Sequence, residues 1–304
     1  MTAVIERPVR LRAAAREIAP GSPDETLSIV SSALIVVFLV CGWMLLQLLV
    51  LGGAAESRSQ HLLFSEYRSE LAQATAPTGQ LDYEGDPVKP GAPVALLTIP
   101  SLDTEQVVVN GTAPEDLLAG PGLMRSTVIP GQQGISVVFG RASTYGAPFR
   151  SIATLEPGDE IDVQNAEGSV VYRVTDVRRA GDDIPAAPTG TEGRLTLVTA
   201  ESAGHLAALR PRDVVYVDAT AEKATGTGVV AAAVPSSELP MGRDTSGLPT
   251  LALLLGLLVA LVFGVGVARR HFRGVLVWSF ATPAALALAW AVTEQVMRLL
   301  PNLM

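Results

Sequence analysis

The stretch "RLTLVTAES", residues 194–202, places apolar Leu195 and Leu197 in alternation with polar residues and ends on small and polar ones. Alternation with a period of two is typical of a β-strand that buries one face. The small and polar end indicates a turn after the strand. The sequence therefore predicts a strand here, within a larger β domain.

Short β-rich stretches of the same kind lie on both sides of this strand, and Gly, Pro and Asp separate most of them. They are "VALLTI" (94–99), "QVVV" (106–109), "ISVVFG" (135–140), "DEIDV" (159–163), "SVVYRVTDV" (169–177) and "DVVYVDA" (213–219). One helical turn is predicted at 113–120. Seven or eight strands in about 125 residues are typical of a small closed barrel, which has no exposed edge strand. We expect a mainly β fold, closed into a barrel over residues 93–220.

Three long apolar stretches accompany the β domain, in a chain with 48% hydrophobic residues and a mean hydropathy of +0.36. They occupy 29–51, 249–268 and 274–296. About 20 apolar residues are enough for a helix to cross the roughly 30 Å of hydrocarbon in a bilayer. The sequence therefore predicts three transmembrane helices and a multi-pass protein of the cell membrane.

The arginines near these stretches predict the orientation of the chain. Four arginines lie within residues 1–28, and three more lie in the loop 269–273. Positively charged segments next to a membrane span stay on the cytoplasmic side. We expect both segments to be cytoplasmic, and residues 52–247 to be extracytoplasmic, as is the end of the chain after the third span.

The extracytoplasmic region is acidic and flanked by connecting segments. It holds 25 Asp and Glu against 14 Arg and Lys, a charge of about −11, which argues against binding nucleic acid. Residues 52–92 are predicted to form a juxtamembrane helix followed by a linker, and 221–247 a second linker.

Cysteine and histidine are scarce. The only cysteine, Cys41, lies in the first apolar stretch, which excludes a thiol nucleophile or a disulfide in the outer region. The three histidines, His61, His205 and His271, do not form a cluster with the spacing of metal ligands. We predict no metal and no cofactor.

Four further motifs are "LLTIPSLDTEQVVVNGT", "LLAGPGLMRSTVIPGQQG", "GAPFRSIATLEPGDEIDV" and "VVYRVTDV", followed by "TLVT" and an arginine just before the last strand. In this order and spacing, residues 93–220 resemble the sortases, membrane-anchored β-barrel transpeptidases of Gram-positive cell surfaces. The resemblance implies a sortase-like closed barrel displayed outside the membrane.

The resemblance also shows which catalytic groups are missing. Sortases have a Cys after Thr-Leu-x-Thr, a His after the central strand in Gly-His-Arg, and an Arg shortly before the last strand. These positions correspond to Ala200, to Arg141 and to Arg212, with Arg210 as the alternative for the last. Shifting the central motif by one residue matches Arg141 to the motif's arginine and places Gly140 at the histidine position. Neither register supplies a histidine.

The missing groups carry the chemistry of the reaction. A methyl group cannot form a covalent acyl intermediate. A guanidinium stays protonated near neutral pH and cannot shuttle a proton. The retained Arg212 could still donate a hydrogen bond to a carbonyl oxygen. We therefore expect no cysteine transpeptidation and lean towards a protein that is not an enzyme.

The leading interpretation is a binding or assembly module at the cell surface. Its partner would be an extended peptide or a surface protein in a groove between 140–149 and 200–212. We predict that the groove is lined by Arg141, Tyr145, Phe149, Thr199, Ala200, Arg210 and Arg212. Arg141 itself is interpreted as a solvated or ion-paired loop arginine, or as an anion-binding residue that faces the groove.

Two other functions stay open. Ser202 or Thr199 could act as a nucleophile with His205, in a transpeptidase or hydrolase that uses no cysteine. Residues of these types after a strand are, however, usually turn formers. Alternatively, the chain could be a structural scaffold in a membrane complex.

Small residues recur every four positions on the second span, at Gly256, Ala260, Gly264 and Ala268. Ala281, Ala285 and Ala289 form a similar stripe on the third span. Small residues let helices approach closely in lipid. We expect the two stripes to pack against each other or against the first span.

Overall fold

The computed structural model describes residues 38, 42–43, 45–201, 213–228, 230, 233–268 and 274–304. The chain divides after Gly42 into two units, and all of these residues except 38 and 42 belong to the second unit, Trp43–Met304. The first predicted span, 29–51, therefore lies largely outside the described residues, as do residues 202–212.

Eight strands form a closed barrel: β1 (Pro93–Ile99), β2 (Thr104–Asn110), β3 (Gly122–Leu123), β4 (Gly134–Phe139), β5 (Glu160–Asn165), β6 (Gly168–Arg179), β7 (Gly193–Glu201) and β8 (Asp213–Ala221). Their order around the barrel is β1-β2-β3-β4-β7-β8-β6-β5, and β5 closes on β1. The prediction of a mainly β, closed barrel is confirmed. The sequence pattern missed β3, because two residues are too few to show a periodicity.

The quoted strand β7 lies between β4 and β8 and is buried along almost its whole length. Leu195 and Leu197 face the main hydrophobic core inside the barrel. Val198 and Ala200 join a second apolar cluster. Because successive side chains of a strand point to opposite faces, these two clusters lie on opposite faces of the sheet. The end of β7 thus contributes to a packed region outside the main core.

Two strand pairs are parallel, β2–β3 and β4–β7, and the others are antiparallel. In the β4–β7 pair, Phe139 is the register partner of Val198. Parallel strands end at the same edge of a sheet, so the residues that follow Phe139 meet those that follow Val198. This pairing defines the position of the candidate site.

The first helix, α1 (Gly52–Gln73), packs on the outside of the barrel after a π-helical segment, Gln47–Leu51. The Tyr67 hydroxyl donates to the main-chain oxygen of Val94, at 3.2 Å. The Gln60 side chain accepts from the N–H of Val107 and donates to the oxygen of Ala119, both at 2.7 Å. Hydrogen bonds from two turns of the helix therefore fix α1 to the barrel.

Two further helices, α2 (Leu248–Ala268) and α3 (Gly274–Leu299), contact each other. Within the part of the chain that is described, only their segments Leu248–Val265 and Val275–Leu299 are long and apolar enough to cross a membrane, with mean hydropathies of 2.6 and 1.8. Two of the three predicted spans are therefore present as candidate membrane helices. The loop 269–273 lies outside the described residues.

The small-residue stripe of α2 does not form the contact that we expected with α3. A Cβ atom added to Gly256 or to Gly264 would meet nothing within 4 Å, and both residues are exposed. The less exposed positions of α2 are leucines such as Leu254 and Leu258. The predicted packing of Gly256 and Gly264 against the third span is therefore wrong, because bulky leucines occupy the face turned towards it.

Gly140 allows the ring of Phe149 to enter the barrel core. A Cβ atom on Gly140 would overlap that ring, and Phe149 is fully buried. Gly140→Ala should therefore push the ring out of place and destabilise the fold by about 2–3 kcal/mol, as overpacked cores do. Urea unfolding of the full-length protein in detergent measures the change.

The matched control is Gly79→Ala, since nothing lies within 4 Å of a Cβ atom at that position. We expect it to unfold like the wild type. Equal stability of the two alanine variants would contradict the packing described for Gly140.

Candidate functional site

The ends of β4 and β7 bring Gly140 and Arg141 next to Thr199 and Ala200. The Gly140 N–H donates to the oxygen of Val198 at 3.0 Å. The Thr199 hydroxyl donates to the oxygen of Gly140 at 2.9 Å, and Thr199 is 2% exposed. The structure therefore brings the end of β4, where the resemblance places the histidine position, next to the end of β7, where it places the cysteine position. The Thr199 hydroxyl is buried and has a fixed partner there, which is a structural role.

Ala200 presents its methyl group to apolar neighbours. It is buried and is the register partner of Val214 in β8. Its cluster contains Leu117, Phe139, Ala142, Val198 and Leu303. A methyl group in these surroundings contributes to packing.

Arg141 is completely buried, although its side chain is charged. Its Nε donates to the oxygen of Leu117 at 3.1 Å, and its Nη2 donates to the oxygen of Pro114 at 2.8 Å. Its Nη1 donates to the Thr144 hydroxyl at 3.1 Å and to the main-chain oxygen of Met304 at 3.2 Å. The interpretation of Arg141 as a solvated residue is therefore wrong, because its donors bind oxygens inside the protein. The ion-paired and anion-binding interpretations stay predictions.

Burial lowers the pKa of Arg141 to about 10. The group stays protonated at neutral pH and cannot act as a general base there. The ring of Tyr145 lies 5.6 Å from the guanidinium carbon, within the range of a cation–π contact. Tyr145 is buried beside Arg141, and the face of its ring stabilises the positive charge of the guanidinium.

Phe149 does not line the groove as predicted. It belongs to the hydrophobic core inside the barrel, and its N–H donates to the oxygen of Arg141 at 3.2 Å. The chain turns back into the barrel after Tyr145, and this turn carries the aromatic ring inward. The predicted border 140–149 thus contributes only its first residues to the site.

The other predicted residues of the site lie outside the described part of the chain. They are Ser202, His205, Arg210 and Arg212. Their roles stay predictions, as does the second border of the groove.

Sequence reasoning missed a segment that fills the site, Pro301–Met304, where all four residues are buried. The Ala142 N–H donates to the oxygen of Leu303 at 3.0 Å, and the Thr144 hydroxyl donates to that of Met304 at 2.6 Å. The Leu303 side chain joins the cluster around Ala200. Four residues after an apolar stretch carry no periodic signal that could have predicted this position.

The segment before α2 is also part of the site, although we predicted a linker over 221–247. Glu238 is buried and forms an ion pair with Arg125. The oxygen of Glu238 accepts from the Thr112 hydroxyl at 2.6 Å. The Asn302 amide donates to the oxygens of Thr112 and Leu239, at 2.9 and 3.0 Å. The segment around Glu238 therefore joins the loop after β2 to Asn302.

Comparisons with known proteins agree with the fold. The family model described as the sortase domain matches residues 97–220. The chain is 26% identical over 124 residues to Sortase A of Listeria monocytogenes serovar 1/2a, covering 40% of this chain and 54% of that protein. It is 34% identical over 98 residues to Sortase SrtE1 of Streptomyces coelicolor, covering 29% of this chain and 27% of that protein.

Residues 97–220 form a sortase domain. The chain spans about half or less of the length of these two relatives. A solved structure, that of a Clostridium perfringens Sortase D5 transpeptidase, matches with a TM-score of 0.44 and 19% identity, over 54% of this chain and 98% of that one.

The described residues of the chain contain no group of three or more His, Cys, Asp or Glu side chains that could hold a metal ion. One acidic residue, Asp116, lies in the loop that binds Arg141. The main-chain oxygens of Pro114 and Leu117, on either side of Asp116, accept hydrogen bonds from the Arg141 side chain. Burial and the neighbouring Glu115 raise the pKa of Asp116 to about 7. The loop that binds Arg141 therefore contains a carboxyl group that titrates near neutral pH.

This titration predicts a pH dependence of stability. The folded protein holds a proton on Asp116 up to about pH 7, whereas an unfolded chain releases it near the ordinary pKa of 3.8. The contribution of Asp116 to stability therefore falls as the pH rises from about 4 to 7. Asp116→Asn removes this loss, so the Tm of the variant should rise above that of the wild type across this range. Thermal unfolding from pH 4.5 to 8 measures it.

Asp183→Asn is the control, because Asp183 is exposed. Its Tm should follow the wild type at every pH. A difference in Tm between Asp116→Asn and the wild type that stays constant from pH 4.5 to 8 would contradict the raised pKa of Asp116.

Proposed function

We propose that this protein is a membrane-anchored sortase-family module of the Gram-positive cell surface that binds a peptide without cysteine transpeptidation. The observation that carries the proposal is the chemistry at the ends of β4 and β7. There, the buried Arg141 guanidinium and the Ala142 N–H donate to main-chain oxygens of the turn Pro301–Met304, and the Ala200 methyl group shares an apolar cluster with the Leu303 side chain.

Loss of the covalent step is supported by the positions of Ala200 and Arg141. The resemblance places the nucleophile at Ala200, whose side chain has no group that can attack a carbonyl. It places the base at Arg141, whose guanidinium donors bind oxygens and whose pKa stays well above neutral. The only cysteine of the chain, Cys41, lies in the first apolar stretch.

Peptide binding is supported by the kind of contacts that the site makes. The Ala142 N–H and the Arg141 and Thr144 side chains all donate to main-chain oxygens, which every peptide possesses. The apolar cluster around Ala200 takes one leucine side chain. Main-chain contacts would supply affinity, and the pocket would select an apolar residue.

Anchoring is supported by α2 and α3, which are long and apolar enough to span a bilayer. The stretch 29–51 would add a third span. With 1–28 and 269–273 in the cytoplasm, the barrel and the residues after α3 lie on the same outer side. Residues 301–304 are then on the correct side to contact the barrel.

A covalent probe tests the absence of catalysis. Full-length protein in detergent is incubated with a peptide mixture and with a serine-reactive phosphonate, and its intact mass is measured. We expect no adduct with either reagent. An adduct that disappears in Ser202→Ala would contradict the proposal and favour the serine hydrolase alternative.

The double variant Ala200→Cys with Arg141→His tests whether the site can be restored. We expect no measurable turnover of fluorogenic peptides. Histidine would leave oxygens such as that of Pro114 without their donor, at a cost of about 1–3 kcal/mol for each buried group left unpaired. Ala200→Cys alone is the matched control; it keeps every hydrogen bond of Arg141 and should also turn over no peptide. Steady transpeptidation by the double variant would contradict the idea of a converted site.

A further inference from the structure

The peptide-like occupant of the site is part of the chain itself. Four main-chain polar groups of residues 302–304 form hydrogen bonds with the surrounding protein or within the segment. The Asn302 N–H donates to Gly242 and the Leu303 oxygen accepts from Ala142, both at 3.0 Å. The Met304 N–H donates to Pro301 at 3.1 Å, and the Met304 oxygen accepts from Arg141 and Thr144.

The side chains of the segment are also buried in the site. Asn302 and Leu303 are fully buried, and Met304 is 5% exposed. Leu303 packs in the cluster that contains Phe139, Val198 and Ala200. An external peptide would need the same contacts. The segment and an external peptide therefore cannot bind at the same time.

The segment also joins the membrane hairpin to the barrel. It follows α3 directly, and two contacts at the end of α3 support it. Arg298 pairs with Glu115 at 3.0 Å, and the Arg298 oxygen accepts from the Asp244 N–H at 3.2 Å. A shift of α3 away from the barrel would withdraw Leu303 from its pocket.

We propose that Pro301–Met304 is a built-in occupant of the sortase groove, which ties the α2–α3 hairpin to the barrel and excludes external peptides until it leaves. The external ligand is a peptide that forms a turn like that of Pro301–Met304, with a leucine for the cluster around Ala200 followed by a main-chain oxygen for Arg141. This inference rests on the proposed peptide-binding function and adds its regulation.

The tether gives the built-in segment an advantage over a free peptide. A segment joined by a short connection reaches an effective concentration on the order of 1 mM. A free peptide that makes the same contacts with a Kd of about 10 µM would therefore bind roughly 100-fold more weakly while the segment is present. Displacement requires a change at α3 or a peptide with additional contacts.

The first test locks the segment in place. Ala142→Cys and Leu303→Cys are combined with Cys41→Ser in the full-length protein. A main-chain hydrogen bond joins residues 142 and 303, which brings their Cα atoms within the roughly 7 Å that a disulfide can span. We expect rapid disulfide formation under mild oxidation, read by intact mass. Absence of the bond in folded protein would overturn the inference.

The second test opens the site and offers a peptide. The probe is a fluorescein-labelled peptide of residues 297–304, "MRLLPNLM". Leu303→Glu should expel the segment, because a carboxylate cannot enter the apolar cluster without a partner. We expect this variant to bind the probe at least tenfold more tightly than the wild type, by fluorescence anisotropy in detergent. Adding Arg141→Met to this variant should abolish the increase in affinity for the probe.

Ile184→Glu is the matched control, since Ile184 is 77% exposed in the loop between β6 and β7, away from the segment. It should bind the probe as weakly as the wild type. If Leu303→Glu unfolds, as judged by circular dichroism, a variant that lacks residues 301–304 replaces it.

The outcomes separate the two proposals. Equal, tight binding of the probe to wild type and opened variant would overturn the built-in occupant and leave the peptide-binding function standing. Binding to neither protein, with the disulfide formed, would overturn the peptide-binding function itself. Tight binding to the opened variant alone supports both.

Discussion

The structure around the groove depends on one buried cation, the guanidinium of Arg141. A charge removed from water is costly unless hydrogen bonds replace its hydration. Here the replacement comes from oxygens in three separate segments: the loop that holds Pro114 and Leu117, the turn with Thr144, and Met304. The three segments must meet at this point for the charge to be tolerated. One side chain therefore holds together parts of the chain that are distant in sequence.

The parallel pairing of β4 with β7 explains why this point coincides with the position that the resemblance assigns to the sortase nucleophile. The pairing places the residues after Phe139 beside those after Val198, so Arg141 and Ala200 share one end of the barrel. In a catalytic site that arrangement would serve proton transfer. With a methyl group at Ala200 and a fixed guanidinium at Arg141, the same arrangement serves packing and main-chain recognition.

The sequence predicted the barrel well, because seven strands are long enough to show alternation, and its motifs predicted the sortase resemblance that the family model matches. It failed where burial depends on distant partners. A charged residue such as Arg141 is rarely fully buried, so the sequence favours an exposed position until its oxygen partners are known. Phe149 was misplaced because an aromatic residue in a loop is equally compatible with a groove and with a core. No local pattern could place Pro301–Met304, since its position depends on the fold of residues almost 200 positions earlier.

The late position of Met304 in the chain has a consequence for biosynthesis. Arg141 is synthesised long before residues 301–304, and both apolar helices α2 and α3 come between them. The barrel strands can pair as soon as they emerge, yet one partner of the buried charge is absent until α3 has been made and inserted. We expect the newly made domain to pass through a stage in which Arg141 is incompletely satisfied and the apolar cluster around Ala200 is open to solvent. Maturation of the groove is thereby coupled to completion of the membrane anchor, and a chain that fails to insert its hairpin would expose a site that quality-control proteases could recognise.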